Sequence, residues 1–531
     1  MKFKKGLIVL FYIGMLLGCL GMVMLLQRLS GGNGPGAGPG GSVYEESPAY
    51  KEPQADEKPS VGPKPPAASP SEWSPADQEQ PENSQEAGNA CEGKRDQAAC
   101  SFPAAVKGTR EEPEISAGEE PQKPPALMLA SDLHFVSRDT HDEGEAFQKM
   151  MEQDDGKLSI YSEEMVDALV EDAIRTRPSA LVLAGDITLN GEKANHQGLA
   201  GKLRRVQEAG IPVLVIPGNH DIQNRNAATY FGAERQAAEY LRGAEDFLEI
   251  YREFGYDQAL SRDHASLSYV YPLDEGHWMM MLDSCQYEDK NHVSGRIRPE
   301  TLAWMEQQLA LAKEAGVVVV PVAHHNLLPE SRLYKTDCTM ENHLEVIRLL
   351  EKYEVPLFVS GHLHAQRIKK NKAEPGVPED AYGITEIVLG PYSIPPCQYG
   401  YLAWDEEGGM AFETRQADVS GMAEARGSED EFLLDFAKRA PEYMKKLIQA
   451  QVRKTIYGVP EDLKEPMSRL YAEVYYDYCA GYGADWKLVE NTTGYQLWQR
   501  VDPGNKFVGE MKEMAADGRR GQHLRWGKRE N

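Results

Sequence analysis

Short apolar runs alternate with amphipathic stretches along the middle of the chain. ALMLASD (Ala126–Asp132), SALVLAGD (Ser179–Asp186) and IPVLVIPGNHD (Ile211–Asp221) read as buried strands. Between them, Met165, Val166, Leu169, Val170 and Ile174 recur at helical spacing, and GLAGKLRRVQEAG predicts a second helix. The same alternation continues through WMMMLDS, TLAWMEQQLALAKEAG, VVVVPVAHH, ENHLEVIRLLEKY, PLFVSGHLH and ITEIVLGPYS. Strand and helix in turn predict a mainly parallel sheet with helices on both faces over residues 126–413. From residue 420 to 531 the apolar positions keep only i, i+3, i+4 spacing, which predicts a small helical C-terminal domain. The last fifteen residues, rich in Arg, Gly and Lys, read as a frayed tail.

The N-terminal quarter has a different pattern. Lys2, Lys4 and Lys5 precede an uncharged apolar run from Gly6 to Leu26, long enough for a bilayer helix. We read residues 1–27 as an uncleaved signal anchor that leaves the rest of the chain outside the cell membrane. A lipoprotein acylated at Cys19 and a secreted, cleaved form are the alternatives. Residues 28–125 are Gly, Pro, Ser, Ala and Glu, too poor in apolar side chains to offset their ordering entropy, and read as a flexible acidic linker.

Composition narrows the chemistry. The 531 residues carry a formal net charge of −26, which excludes the basic stripe of a nucleic-acid-binding surface. Such a chain can still bind phosphate esters where metal ions supply positive charge. Its seven cysteines are too few for a disulfide scaffold.

Five strand ends finish in metal-ligand chemistry: Asp132-Leu133-His134, Gly185-Asp186, Gly218-Asn219-His220-Asp221, His324-His325 and Gly361-His362-Leu363-His364. Ligands in open α/β sheets bind beyond the carboxyl ends of the strands, so all five belong on one edge. Asp132 with His134, and His362 with His364, are two apart, which points both side chains the same way in extended chain. The glycines before Asp186, Asn219 and His362 allow close backbone approach or unusual dihedrals. Imidazole and carboxylate without thiolate suit Mn, Fe or Zn, and an aspartate can bridge two ions.

The series DLH, GD, GNHD, HH and GHLH, in that order over Ser131–His364, resembles the calcineurin-like metallophosphoesterase superfamily. GDITLNGEKANHQGL, DDGKLSIYSEE and the helical C-terminal region look like bacterial class III cyclic nucleotide phosphodiesterases. The resemblance implies a two-sheet α/β sandwich flanked by helices. It implies that Asp132, His134 and His364 hold one divalent ion, that Asn219, His324 and His362 hold the other, and that Asp186 bridges them. His220 becomes the proton donor to the leaving oxygen, and Asp221 the residue that orients the His220 ring. The implied reaction is hydrolysis of a small-molecule phosphodiester, a 3',5'-cyclic nucleotide among the candidates, by in-line attack of a metal-bridging hydroxide. An exported phosphomonoesterase and a glycerophospho- or cell-wall phosphodiesterase are the alternatives. A catalytically silent surface binding protein is a third, and the intact ligand series argues against it. Among the remaining polar residues, His325 reads as a group behind the site or facing substrate, and His196 as a surface histidine. Asp154-Asp155 reads as a solvated pair, and for Asp283 a cleft-lining and a hydrogen-bonding role both stay open.

Overall fold

The structure, a computed structural model, describes residues 124–371, 383–517 and 521–526. The anchor, its lipidation alternative and the linker lie outside the described residues. No helix among the described residues is long and apolar enough to cross a membrane.

The predicted strands form, in the two sheets that the resemblance implies rather than the one that the alternation of strand and helix suggests. The first sheet runs, edge to edge, through His523–Trp526, Met410–Gln416, Gln398–Trp404, Ala126–Ala130, Ala180–Ala184 and Val213–Ile216. Its last three strands are parallel, with Leu127 opposite Ala180 and Leu181 opposite Val213. The second sheet runs through Arg367–Lys370, Thr385–Val388, Leu357–Ser360, Val318–Ala323, His277–Leu282, Tyr269–Pro272 and Ser261–Arg262. The strands Thr385–Val388, Leu357–Ser360, Val318–Ala323 and His277–Leu282 are parallel to their neighbours among themselves. Alternation of strand and helix along a chain does not say where one sheet stops, which is why the pattern alone suggested a single layer.

The period-two arrangement of side chains shows how the two sheets stack. Met279, Met281, Val320, Val322, Leu357 and Val359 join the core shared with Leu127, Leu129, Leu181 and Leu183 of the first sheet. Met280, Leu282, Val319, Ala323 and Phe358 point the other way, into a core closed by helices Pro299–Ala315 and His343–Lys352. On the far side of the first sheet, helix Ser162–Thr176 buries Met165, Val166, Leu169, Val170 and Ala173, and helix Lys193–Glu208 buries Leu199, Ala200, Leu203 and Val206. Each such large side chain contributes about 1.5–3 kcal/mol by leaving water.

Beyond residue 418 the chain is helical, led by the long pair Phe436–Thr455 and Glu461–Ala480. Their apolar core takes in Leu363, Ala365, Val388 and Ile394 from the two-sheet body. The tail corrects one expectation. His523–Trp526 is not frayed but pairs antiparallel with Met410–Gln416, Leu524 facing Phe412, and becomes the edge strand of the first sheet.

Candidate metal centre

The parallel strands of both sheets end at a common edge, and the loops there are tied across the sheets. His324, after a strand of the second sheet, donates from Nδ1 to the Ala184 carbonyl of the first at 2.9 Å. The His362 amide donates to Asp132 Oδ2 at 3.0 Å. Metal-ligating atoms of Asp132, His134, Asp186 and His364 gather within 4.8 Å of one another, and so do those of Asp186, His324 and His362. Asp186 belongs to both groups. Its Oδ2 lies 3.2 Å from His324 Nε2 and 4.0 Å from His134 Nε2, the geometry of a bridging carboxylate. Asn219 Oδ1 lies 3.2 Å from His324 Nε2, beside the second group.

The backbone is strained where these ligands are. Asp132, His134, Asp186, His362 and His364 all have positive φ, between 42° and 67°. L-residues seldom adopt that conformation, and it persists only where surrounding structure imposes it. Two glycines permit the crowding. A Cβ at Gly218 would overlap the Asp186 backbone nitrogen, and one at Gly361 would overlap Ser131 Oγ.

The imidazoles of His324, His362 and His364 each have one nitrogen engaged and the other aimed inward, whereas His134 Nδ1 is buried without a hydrogen-bond partner. A carbonyl only accepts, so the nitrogen facing it carries the proton. His324 Nδ1 meets the Ala184 carbonyl, and His362 Nε2 meets the Asp337 carbonyl at 3.0 Å. His364 Nδ1 donates to Asp155 Oδ2 at 2.8 Å. The opposite nitrogens then face one another, His134 Nε2 and His364 Nε2 at 3.0 Å, His324 Nε2 and His362 Nδ1 at 3.2 Å. Two nitrogens facing one another at this distance need a proton or a metal cation between them. Burial by itself lowers all four imidazoles. It prevails at His134 and His362, the latter falling to about 4. At His324 it is outweighed by Asp186, and at His364 by Asp155, so these rise to about 9 and about 10. Asp132 Oδ1, buried without a hydrogen-bond partner, points the same way. The donor set therefore fits two divalent ions.

His220 stays apart from the ligand atoms. Its ring meets His134 edge-on at 4.8 Å between centroids, its Nδ1 donates to the Leu189 carbonyl at 2.7 Å, and its amide donates to Asp186 Oδ1 at 2.7 Å. The expected role of Asp221 needs correction. Its carboxylate accepts from the amides of Gly218, Ile187 and Thr188 and from the Thr188 hydroxyl, and it does not hold the His220 ring. A carboxylate surrounded by four donors fixes the two loops that carry Asp186 and His220 instead.

Two further readings change, those of His196 and Asp155, and those of His325 and Asp283 narrow. His196 is not on the surface. It is fully buried, with Nδ1 3.0 Å from Tyr251 Oη and Nε2 3.0 Å from the Asp221 carbonyl. Asp155 is not a solvated carboxylate, since it joins His364 to Lys157, whose Nζ lies 2.5 Å away. His325 is buried behind the site, held between Ser284 Oγ at 2.8 Å and the Val293 carbonyl at 2.9 Å. Asp283 accepts from the Leu267 and Cys285 amides and from Tyr287 Oη, a hydrogen-bonding role. The carbonyls of Leu189 and Asp337 carry no side-chain signal and are invisible in sequence.

The calcineurin-like phosphoesterase family model matches residues 126–366, and a model for the C-terminal domain of cyclic nucleotide phosphodiesterase matches residues 418–519. No curated protein matches the chain. Among solved structures, a dimetal phosphatase from Danio rerio aligns at 15% identity and TM-score 0.42, over 56% of this chain and 97% of its own. PhoD aligns at 11% identity and TM-score 0.32, over 55% of this chain and 65% of its own. By the family matches, the chain carries a calcineurin-like phosphoesterase domain over residues 126–366, followed over residues 418–519 by a C-terminal domain of the cyclic nucleotide phosphodiesterase type.

Proposed function

We propose that the protein hydrolyses phosphodiesters, with 3',5'-cyclic nucleotides as its preferred substrates. The observation that carries this reading is the pairing of a dinuclear ligand cluster with a C-terminal domain of the cyclic nucleotide phosphodiesterase type. In this proposal Asp132, His134 and His364 hold one ion, Asn219, His324 and His362 the other, and Asp186 both. Two divalent ions bound there supply positive charge for the phosphoryl oxygens and a source of hydroxide near neutral pH.

The residues around them do the remaining work. Because His220 Nδ1 donates to the Leu189 carbonyl, Nε2 is the nitrogen left to face substrate, and as the imidazolium the ring donates from it to the leaving oxygen. The ring is only half buried, so substrate can reach it. The Asp186 carboxylate accepts the His220 amide and so fixes the distance from proton donor to metal pair. Leu189 and Asp221 keep the loop that presents His220 in place without touching substrate.

The apolar run Gly6–Leu26 favours a second reading, an exported enzyme acting on a glycerophospho- or cell-wall diester or on a monoester, since cyclic nucleotides are chiefly intracellular. Steady-state hydrolysis of cyclic AMP, bis(p-nitrophenyl) phosphate and p-nitrophenyl phosphate by Mn²⁺-loaded protein separates the two. We expect turnover of both diesters and its loss in Asp186→Asn. Turnover of the monoester alone would overturn the diesterase reading.

A further inference from the structure

The GHLH strand end has two faces. His362 and His364 point to the metal cluster, while Leu363 and Ala365, the residues that alternate with them, are buried in the apolar core of the C-terminal helices. The same helices hold the two loops that orient these histidines from behind.

The first loop is 152–157. Its Asp155 receives the His364 Nδ1 proton. Gln451, on helix Phe436–Thr455, donates from Nε2 to the carbonyls of Asp154 at 2.7 Å and Glu152 at 3.1 Å, on either side of the turn. Gly156, with φ +113°, lies so close to Met444 of the same helix that a Cβ there would come within 2.9 Å of Met444 Cγ. Lys157 Nζ bridges Asp154 and Asp155 at 3.0 and 2.5 Å.

The second loop is 331–338. Its Asp337 carbonyl receives the His362 Nε2 proton. Tyr478 Oη, on helix Glu461–Ala480, lies 2.6 Å from Ser331 Oγ. That hydroxyl accepts the Leu333 and Tyr334 amides at 3.0 Å and donates to Asp517 at the end of helix Lys506–Asp517. Leu333, Tyr334 and Cys338 pack against the C-terminal core.

We propose that the C-terminal helical domain is a positioning element of the metal centre. It sets the affinity of one ion through Gln451 and Asp155, and of the other through Tyr478 and the Asp337 carbonyl. The groups behind a ligating histidine fix its ring and raise its basicity, and losing one typically weakens metal binding by about 10- to 100-fold. Gln451 and Tyr478 act one step further out, so the expected loss lies at the lower end. The inference rests on the metal assignment above.

The test is stepwise Mn²⁺ titration of chelator-treated full-length protein, followed calorimetrically and by electron paramagnetic resonance, with no substrate present. We expect Gln451→Leu to weaken one of two binding steps about tenfold and Tyr478→Phe to weaken the other. Asp155→Ala should weaken the step that Gln451→Leu weakens. Leu497→Ala, in the C-terminal core on helix Thr493–Val501, should lower the melting temperature and leave both steps unchanged. Two wild-type steps that persist in Gln451→Leu and Tyr478→Phe would overturn the inference, as would equal weakening by Leu497→Ala. Fewer than two steps in the wild type, or two unaltered steps in Asp186→Asn, would overturn the metal assignment and the inference with it.

Discussion

Asp221 Oδ1 accepts both the amide of Thr188, at 2.9 Å, and its hydroxyl, at 2.8 Å, in a fully buried site. With the Oδ2 bonds to Ile187 and Gly218, this fastens the loop after Ala180–Ala184 to the loop after Val213–Ile216. Asp221→Asn turns an amide NH₂ toward backbone donors. We expect it to cost about 1–3 kcal/mol for each donor left unpaired, with turnover falling as Asp186 and His220 move. Thr188→Val, which removes the hydroxyl bond to Asp221 and the acceptor of the Gly191 amide, should cost about 1–3 kcal/mol. Urea unfolding measures both, and wild-type stability in Asp221→Asn would contradict the bracing role.

Asn219 and His220 are neighbours with different assignments. Asn219→Ala removes the oxygen beside His324 and should weaken binding of one ion. His220→Ala should keep both ions and lower kcat by about 10²- to 10⁴-fold. Metal content after gel filtration, set beside kcat on a diester, separates the two. Full activity in His220→Ala would end its assignment as proton donor.

His196 makes stability depend on pH. Burial pushes its imidazole down to about 3, from an ordinary value of 6.5. Above pH 6.5 the ring is neutral in the folded and the unfolded chain, and its full contribution is present. As pH falls from 6.5 toward 3 only the unfolded chain takes up the proton, so stability is lost, by about 1.4 kcal/mol per pH unit. Between pH 6.5 and 5 that is about 2 kcal/mol from this one group. His196→Gln should be less stable than wild type at pH 7.5 and lose correspondingly less on going to pH 5. Equal acid losses in the two proteins would show that His196 is not the group responsible.

Sequence reading succeeded where chemistry is carried by side chains. The strand ends and their common edge follow from residue type and spacing, and the gathering of Asp132, His134, Asp186, His324, His362 and His364 is what the resemblance implies. What it missed depends on backbone and on distant contacts. Asp155 meets His364 across 209 positions of chain, and nothing local in DDGK distinguishes that from a solvated turn. Asp221 follows His220 in sequence, which invited a direct pairing, yet its carboxylate faces the amides. His196 stands in a polar stretch, and only the packing of Tyr251 and the Asp221 carbonyl around it shows that it is interior. HLRW is four residues long, too short to mark itself as a strand.

The strand order of the first sheet also has a consequence in time. Ala126–Ala130 lies between Ala180–Ala184 and Gln398–Trp404. One side of the earliest strand is thus covered soon after synthesis, and the other waits for more than two hundred further residues. Until then an apolar strand has an open hydrogen-bonding edge, the feature that invites pairing with other chains. Asp132 follows directly on that strand, and Tyr392 and Ser393, just ahead of Gln398–Trp404, bond the Ser131 and Asp132 carbonyls, so this loop too is completed late. The ribosome, or the export machinery if the chain is threaded across a membrane, therefore releases a protein whose metal site is among the last parts to become whole.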